Sequence, residues 1–246
     1  MDELLAATAR AERDHFWFRG FRRFIAPLLA TAAGGRSGLS ILDCGCGTGH
    51  NLKFLRRHGR VTGIDLTWTG LVFARKQGER AVAQASATHL PFEQASFDVV
   101  TSFDVIYALD DEQETMALAE MLRVLKPGGH LVLNVAALDM LKGNHSVLGG
   151  EVRRYTRQML AERLERAGFR IERLTYTNAS IFPIIAGVRL IQRLSGHKTS
   201  TSEISVPPAP INFVLTSALA AEAAALRVVN MPFGSSLLTL AVKPTG

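Results

Sequence analysis

Cysteine is nearly absent from this sequence. Its 246 residues include only Cys44 and Cys46, which stand one residue apart in a glycine-rich stretch. A disulfide between residues so close would be strongly strained, and two ligands do not complete a zinc site. The sequence therefore argues against a disulfide framework, and we expect no bound metal.

A secretory leader and long uninterrupted apolar runs are also missing. The chain begins Met1-Asp2-Glu3, without the basic start and apolar run of a signal peptide. Apolar stretches at 174–188 and 204–221 are broken by proline and polar residues, whereas a membrane-spanning helix needs about 20 mostly apolar residues. We expect a cytoplasmic protein with no transmembrane span, and contact with a membrane surface stays open.

Concentrated positive charge is absent as well. The net charge is +6, and the basic residues are spread in pairs such as Arg56-Arg57 and Arg153-Arg154. A nucleic-acid-binding domain usually gathers its Lys and Arg on one face or stripe. We therefore expect no nucleic-acid partner.

Strands and helices alternate along the chain. Short apolar runs predict buried strands at 39–43, 61–65, 81–85, 97–102, 130–136 and 169–174. Helical patterns lie at 50–58, 71–77, 111–125 and 156–167, and residues 126–129 are expected to end the third of these helices. This alternation predicts an α/β fold with helices on both faces of a parallel sheet. A last strand at 236–242 follows a turn instead of a crossover helix, so it can run antiparallel.

We expect one domain with four parts. Residues 1–38, helical from 2 to 33, would form an N-terminal cap, 39–178 the core, 179–232 a helical insertion and 233–246 the final strand. The insertion contains two apolar helical stretches, 180–194 and 211–229, joined by a Ser/Thr/Pro-rich segment at 195–210 that we expect to be mobile. It would serve as a lid, a dimer interface or a membrane contact, and the chain would be a monomer or a homodimer.

A glycine loop follows the first predicted strand. Asp43, Gly45, Gly47 and Gly49 alternate with other residues just before a helix. Glycine lets the backbone turn tightly against a ligand, and the amides of a helix start face its polar groups. In a dinucleotide-binding loop the third glycine falls one place later. Asp65, at the end of the next strand, lies at the distance from which a carboxylate reaches ribose hydroxyls, so the loop predicts an adenosine ligand.

Four ordered motifs resemble those of the class I S-adenosylmethionine-dependent methyltransferases. They are Asp43-x-Gly45-x-Gly47-x-Gly49, then Gly63-Ile64-Asp65, then Leu90-Pro91-Phe92 with residues 96–100, then Leu122-x-x-Leu125 with residues 126–129. The resemblance covers residues 39–136 well and the remainder more loosely. It implies a Rossmann-like, doubly wound sheet of seven strands with an antiparallel last strand, and S-adenosylmethionine as the cofactor.

The resemblance also implies a set of cofactor-binding residues. Asp43 and the backbone of Gly45, Cys46, Gly47 and Gly49 would hold the methionine part, Asp65 the ribose and Leu66 the adenine. Ser86 and Ala87 stand where family members usually carry an aspartate that contacts the adenine amino group. Phe103 follows the fourth strand, and Trp17 and Arg19 would fold over the cofactor as part of a lid; alternatively, they only pack at a helix end.

The acceptor is expected at the carboxyl ends of the strands, where ligands of open parallel sheets bind. Asp104, Tyr107 and His145 follow strands there, and we interpret Asp104, His145 and Tyr155 as candidate catalytic groups. Tyr107, His145, Arg154 and Tyr155 would bind the acceptor, the arginine by gripping an acidic group. The alternatives are an exposed loop histidine at 145, arginines 153 and 154 that face water, and Thr156 as a plain helix cap.

The leading hypothesis is methyl transfer to a small, partly apolar acceptor by in-line displacement. An RNA or protein methyltransferase is the second possibility. The third is a methyltransferase-like regulatory module without activity. The sequence favours the first, because it contains neither a basic face nor a recognisable appended domain.

Overall fold

The computed structural model describes residues 8–139, 150–187 and 206–245. The strands are β1 (Leu39–Cys44), β2 (Gly59–Asp65), β3 (Val82–Gln84), β4 (Phe97–Phe103), β5 (Leu125–Ala136), β6 (Arg170–Thr177) and β7 (Ser236–Val242). The helices are α1 (Phe16–Ala33), α2 (His50–Leu55), α3 (Trp68–Lys76), α4 (Asp111–Val124), α5 (Arg157–Arg166) and α6 (Ala209–Ala225), with a 3-10 turn at Ile106–Ala108. Residues 8–11 and 182–187 are also helical.

The strands form one seven-stranded sheet in the order β3-β2-β1-β4-β5-β7-β6. The five strands from β3 to β5 run parallel, and β7 is antiparallel to both β5 and β6. Apolar side chains of β1 and β4 are buried because helices cover both faces, and two apolar clusters lie on opposite sides of the sheet. The predicted α/β fold with an antiparallel last strand is confirmed.

Two helix starts follow from capping side chains. Asp110 accepts a hydrogen bond from Gln113 N, and the Gln113 side chain returns to Asp110 N, which forms a capping box at α4. Thr156 accepts from Met159 N and begins α5, so its interpretation as a helix cap is confirmed.

The helix predicted to end before residues 126–129 does end there, but the next strand begins earlier than the predicted residue 130. α4 ends at Val124, and residues 125–129 already belong to β5. Gly128 N donates to Lys243 O, and Lys243 N donates to Gly129 O, so this stretch pairs with the chain beyond β7. Lys126 Nζ contacts Asp98 Oδ2 at 2.9 Å. These long-range partners draw the segment into the sheet.

Helices α1 and α6 cross closely beside the sheet. A Cβ added at Gly20 would lie 2.4 Å from Leu219 Cδ1, so the two backbones approach where no side chain separates them. Asn212 Oδ1 accepts from Phe16 N at 2.8 Å and satisfies a free amide at the start of α1. The helix predicted from residue 2 is interrupted at residues 12–15, and residues 1–7 lie outside the described ranges.

The predicted insertion is described only in part. Its first helix, expected at 180–194, is helical at residues 182–187, and residues 188–205 lie outside the described ranges. The second, expected at 211–229, is α6, which ends earlier at Ala225. Across the described segments, no helix combines the length and hydropathy that crossing a membrane requires.

Candidate active site

The glycine loop lies at the carboxyl end of β1. Gly45, Gly47 and Gly49 have φ values of 83°, 51° and 83°, in the left-handed region that favours glycine. A Cβ at Gly45 would fall 2.1 Å from Val105 Cγ2, whereas a Cβ at Gly47 would meet no atom within 4 Å. The loop is therefore packed against protein at Gly45 and open at Gly47, as a surface that receives a ligand requires.

Asp65 ties this loop to the end of β2. Its Oδ2 accepts from Gly47 N at 2.7 Å, and its Oδ1 accepts from Thr67 N at 2.8 Å. A carboxylate has about four acceptor positions. Asp65 thus shapes the loop and keeps acceptor capacity for ribose hydroxyls.

Asp43 lies beneath the loop and is buried. Thr101 Oγ1 donates to its Oδ1 at 2.6 Å. Burial raises the pKa of Asp43 to about 7, with a smaller contribution from the nearby Asp65, against the lowering effect of the Thr101 hydrogen bond. Its neighbours Cys44 and Cys46 are buried free thiols, and burial raises the pKa of each.

An apolar surface adjoins Asp65. The Leu66 side chain is 68% exposed, and its carbonyl accepts from Gln84 Nε2 at 2.9 Å. Ser86 and Ala87 are half-buried, and Ser86 Oγ shares a 2.8 Å hydrogen bond with Thr88 Oγ1. An exposed leucine beside a ribose-binding carboxylate is suited to the face of an adenine ring. With the open loop, these residues fit the predicted cofactor.

Helix α1 covers the end of β4. Phe103 is buried, and its ring packs edge-on against Phe21 at a centroid distance of 5.0 Å. Trp17 is half-buried and packs against the same apolar cluster, and Arg19 is exposed. The structure therefore brings Phe103 and Trp17 to one apolar cluster, and the cofactor contacts of Phe103, Trp17 and Arg19 stay a prediction.

Asp104 has an unusual backbone for a residue with a side chain. Its φ is 60°, in the left-handed region, and it is exposed. Asp104 N donates to Asn134 O at 3.0 Å, and Asn134 Nδ2 donates back to Asp104 Oδ1 at 2.9 Å. Desolvation by the surrounding protein raises the pKa of Asp104 to about 7, although the Asn134 hydrogen bond lowers it. A carboxyl with such a pKa is suited to accept a proton near neutral pH.

The 3-10 turn after β4 contains Tyr107, a second polar side chain near Asp104. The Tyr107 carbonyl accepts from Val152 N at 2.9 Å and from Arg153 N at 3.2 Å. Arg154 forms an ion pair with Glu151, and Glu151 helps to raise the pKa of Asp104. Burial raises the pKa of the Tyr107 phenol, and the negative charge of Asp104 raises it further. The predicted residues Asp104, Tyr107 and Arg154 therefore lie close together.

Tyr155 does not join this group, and its predicted catalytic and acceptor-binding role is corrected. The side chain is fully buried, and its hydroxyl donates to Ile106 O at 3.3 Å. Burial and the neighbouring Glu114 raise its pKa well beyond neutral pH. Arg153 does not face water either, since it pairs with Asp111 and Glu114. Tyr155 and Arg153 thus anchor the start of α5.

His145, the predicted base and acceptor contact, lies outside the described residues.

Two other groups near the site were not predicted from the sequence. Asn134 is buried in the middle of an apolar strand, and a polar residue at such a position is a sequence signal for a functional site. Its Oδ1 has no partner in the described structure. Glu12 accepts a hydrogen bond from Thr48 Oγ1 in the glycine loop, and no local pattern indicates that contact.

Comparison with known proteins agrees with the fold and the loop. The family described as "Methyltransferase domain" matches residues 42–133. A probable S-adenosylmethionine-dependent methyltransferase of Mycolicibacterium smegmatis is 28% identical over 87% of this chain and 80% of its own. Erythromycin 3''-O-methyltransferase of Saccharopolyspora erythraea is 37% identical over 47% of this chain and 41% of its own. The chain spans about half the length of several other curated relatives.

A solved structure is similar over nearly the whole chain. It is the complex between the Haloferax volcanii Trm112 methyltransferase activator and a putative methyltransferase, with a TM-score of 0.62, 21% identity, and coverage of 97% of this chain and 94% of that one. At this identity the likeness concerns the fold.

The sheet order, the open glycine loop and the carboxylate that follows β2 define a nucleoside-binding α/β domain of the methyltransferase type. Residues 42–133 are a methyltransferase domain of the class I S-adenosylmethionine-dependent type, and S-adenosylmethionine is the cofactor of that domain.

Proposed function

We propose that this protein transfers a methyl group from S-adenosylmethionine to a small, partly apolar acceptor. The observation that carries the proposal is the Asp104 carboxyl, which Asn134 holds at the carboxyl end of β4 beside the glycine loop. The bound cofactor supplies a methyl group that its sulfonium already activates. The chain therefore has to align the acceptor and, for a hydroxyl or amine, remove a proton.

Asp104 takes that proton in our proposal. Asn134 Nδ2 occupies Asp104 Oδ1, and no partner of Oδ2 occurs among the described residues. Oδ2 is thus the atom that would receive the acceptor proton, while Asn134 fixes the carboxyl plane. Arg154 and Tyr107 would line the acceptor site, and Leu66 and Phe103 would supply apolar surface near the cofactor.

A small acceptor is favoured over RNA or protein because, among the described residues, several arginines are paired with acids and do not offer free positive charge. Arg123 pairs with Glu120, and Arg163 pairs with Asp111 and Glu114. The erythromycin methyltransferase, by its name, methylates a small molecule at oxygen.

A cytoplasmic location and a monomeric or dimeric state stay predictions. So does the role of the insertion, whose helix α6 exposes Ile211, Phe213 and Val214 and suits a lid, a dimer interface or a membrane contact.

Calorimetric titration with S-adenosylmethionine and S-adenosylhomocysteine tests cofactor binding. We expect the wild type to bind both, and Asp65→Ala to lose about 10- to 100-fold in affinity, as removal of a charged hydrogen-bond partner does. Leu66→Ser should weaken binding without lowering the unfolding midpoint, because the side chain is exposed. Glu162→Ala, at an exposed carboxylate, is the control. A wild type that binds neither ligand would contradict the enzymatic proposal.

Release of S-adenosylhomocysteine tests the acceptor and the base. With a panel of apolar alcohols, phenols and amines, we expect turnover that rises with pH through about 7 as Asp104 ionises. Asp104→Asn should abolish that rise. Asn134→Ala should move the inflection to higher pH, because the Asn134 hydrogen bond lowers the Asp104 pKa. Turnover seen only with RNA or a protein would contradict the small-molecule assignment, and binding without any turnover would favour a regulatory module.

A further inference from the structure

A basic cleft lies beside the glycine loop, outside the predicted cofactor site. It has a volume of about 850 Å³ and is lined by Ala9, Arg10, Arg13, Asp14, Arg22, His50, Lys53, Gln77 and Glu79. Asp43, Gly47, Asp65 and Leu66 do not line it. Its size falls within the range of clefts that bind small molecules.

The cleft carries an excess of positive charge. Four of its lining residues are Arg or Lys, and two are acidic. Of those two, Glu79 pairs with Arg56 from outside the lining, and Asp14 lies 3.9 Å from Arg13. In the described part of the chain, Arg10 and Lys53 form no ion pair, and Arg22 donates to Glu12 O at 3.1 Å and interacts with the Glu12 carboxylate at longer range. Burial together with the Arg22 charge lowers the pKa of His50.

We propose that this cleft binds a small molecule that carries a diphosphate or a comparable polyanionic group. Arg10 and Arg22 offer guanidinium groups that donate paired hydrogen bonds to phosphate oxygens, and Lys53 adds a point charge. One phosphate would leave most of the cleft volume unfilled, so a larger ligand fits better. Two arginines elsewhere on the chain, Arg123 and Arg153, are paired with Glu120 and Glu114, so they do not extend the positive charge of the cleft.

The cleft and the cofactor loop share a wall. Gln77 Nε2, from the cleft lining, donates to Thr48 O at 3.1 Å. Thr48 Oγ1 donates to Glu12, which lies between lining residues Arg10 and Asp14 in the sequence. The proposed ligand would therefore bind next to the cofactor without overlapping it. Its binding does not depend on methyl transfer.

Calorimetry of the full chain with inorganic pyrophosphate and with ADP tests the proposal. We expect both probes to bind the wild type, and Arg10→Gln/Lys53→Gln to weaken binding by about tenfold or more, as the loss of charged partners does. Both side chains are exposed, so the unfolding midpoint should not change. Arg166→Gln, at an exposed arginine outside the cleft, should bind as the wild type does.

Two further titrations separate this site from its neighbours. S-adenosylhomocysteine should bind the double variant as it binds the wild type, and it should not compete with pyrophosphate. Competition would assign the cleft to the cofactor site and overturn the proposal. Failure of both probes to bind, or binding that the double variant leaves unchanged, would also overturn it. A single-stranded RNA that binds far more tightly than ADP, with the same loss in the double variant, would replace it with a nucleic-acid surface.

Discussion

Single glycines decide how the loop after β1 can receive a ligand. Gly45 and Gly47 both have a positive φ, but only Gly45 is packed against a side chain, that of Val105. The first position therefore requires glycine for space as well as for backbone conformation. The second requires it for conformation and for the open surface above it.

Substitution by alanine should separate these two requirements. We expect Gly45→Ala to lower the free energy of unfolding by about 2–5 kcal/mol. This is the sum of the cost of a left-handed backbone at a residue with a side chain and the cost of overpacking against Val105. Gly47→Ala should cost only about 1–2 kcal/mol yet weaken S-adenosylhomocysteine binding, because its methyl group would stand on the open side. Urea denaturation and calorimetry measure the two effects. Unchanged affinity in Gly47→Ala would show that the cofactor does not lie against that side.

The residues of the loop were predictable and those around Asp104 only partly so. Asp43, the glycines and Asp65 form a local pattern of residue types whose geometry follows from short-range sterics. Asn134 meets Asp104 through pairing of β4 with β5. Tyr155 was misplaced because the sequence shows only that it precedes a helix. Its burial depends on a bridge with Ala137, the residue after β5, and the sequence does not show that pairing.

Among the elements, helices α1 and α6 depend on one another. They meet at Gly20 and Leu219, and each covers apolar surface beside the sheet. The contact between Gly20 and Leu219 could not be predicted from the sequence, because almost the whole described chain separates the two residues. The strands, in contrast, were predictable from short apolar runs, since a strand buried on both faces has no polar alternation.

A double substitution should reveal this contact. We expect Gly20→Val to destabilise the protein by about 1–3 kcal/mol, because a Cβ there already meets Leu219. Leu219→Ala should restore part of the loss, with a coupling of about 0.5–3 kcal/mol in chemical denaturation. Gly187→Val is the control, since a Cβ at that helical residue meets nothing within 4 Å. Strictly additive effects at 20 and 219 would argue against the contact.

The raised pKa of Asp43 should make its contribution to stability smaller at neutral than at mildly acidic pH. Asp43 has a pKa of about 7 in the folded protein against an ordinary 3.8. Between these values the folded state holds a proton that the unfolded chain releases, so the free energy of unfolding falls as pH rises. The slope from this group reaches at most about 1.4 kcal/mol per pH unit. Asp104 acts in the same direction, and solvent exposure reduces its effect.

Asp43→Asn should flatten this slope between about pH 4 and 7. The amide oxygen can still accept from Thr101, so the substitution keeps the fold while it removes the titration. Denaturant unfolding across the pH range measures it, with Glu162→Gln at an exposed carboxyl as the control. A slope in Asp43→Asn equal to that of the wild type would mean that the Asp43 carboxyl does not contribute to it.

The position of β7 sets the order in which the sheet can be completed during synthesis. β5 and β6 are made before β7, yet β7 lies between them and is the partner that β6 pairs with. Until residues 236–242 leave the ribosome, β6 has no place in the sheet and β5 shows an unpaired edge. The nascent chain must therefore protect that edge until residues 236–242 have been made. Assembly of this half of the sheet thus follows an order in which the strand made last is placed between two strands made earlier.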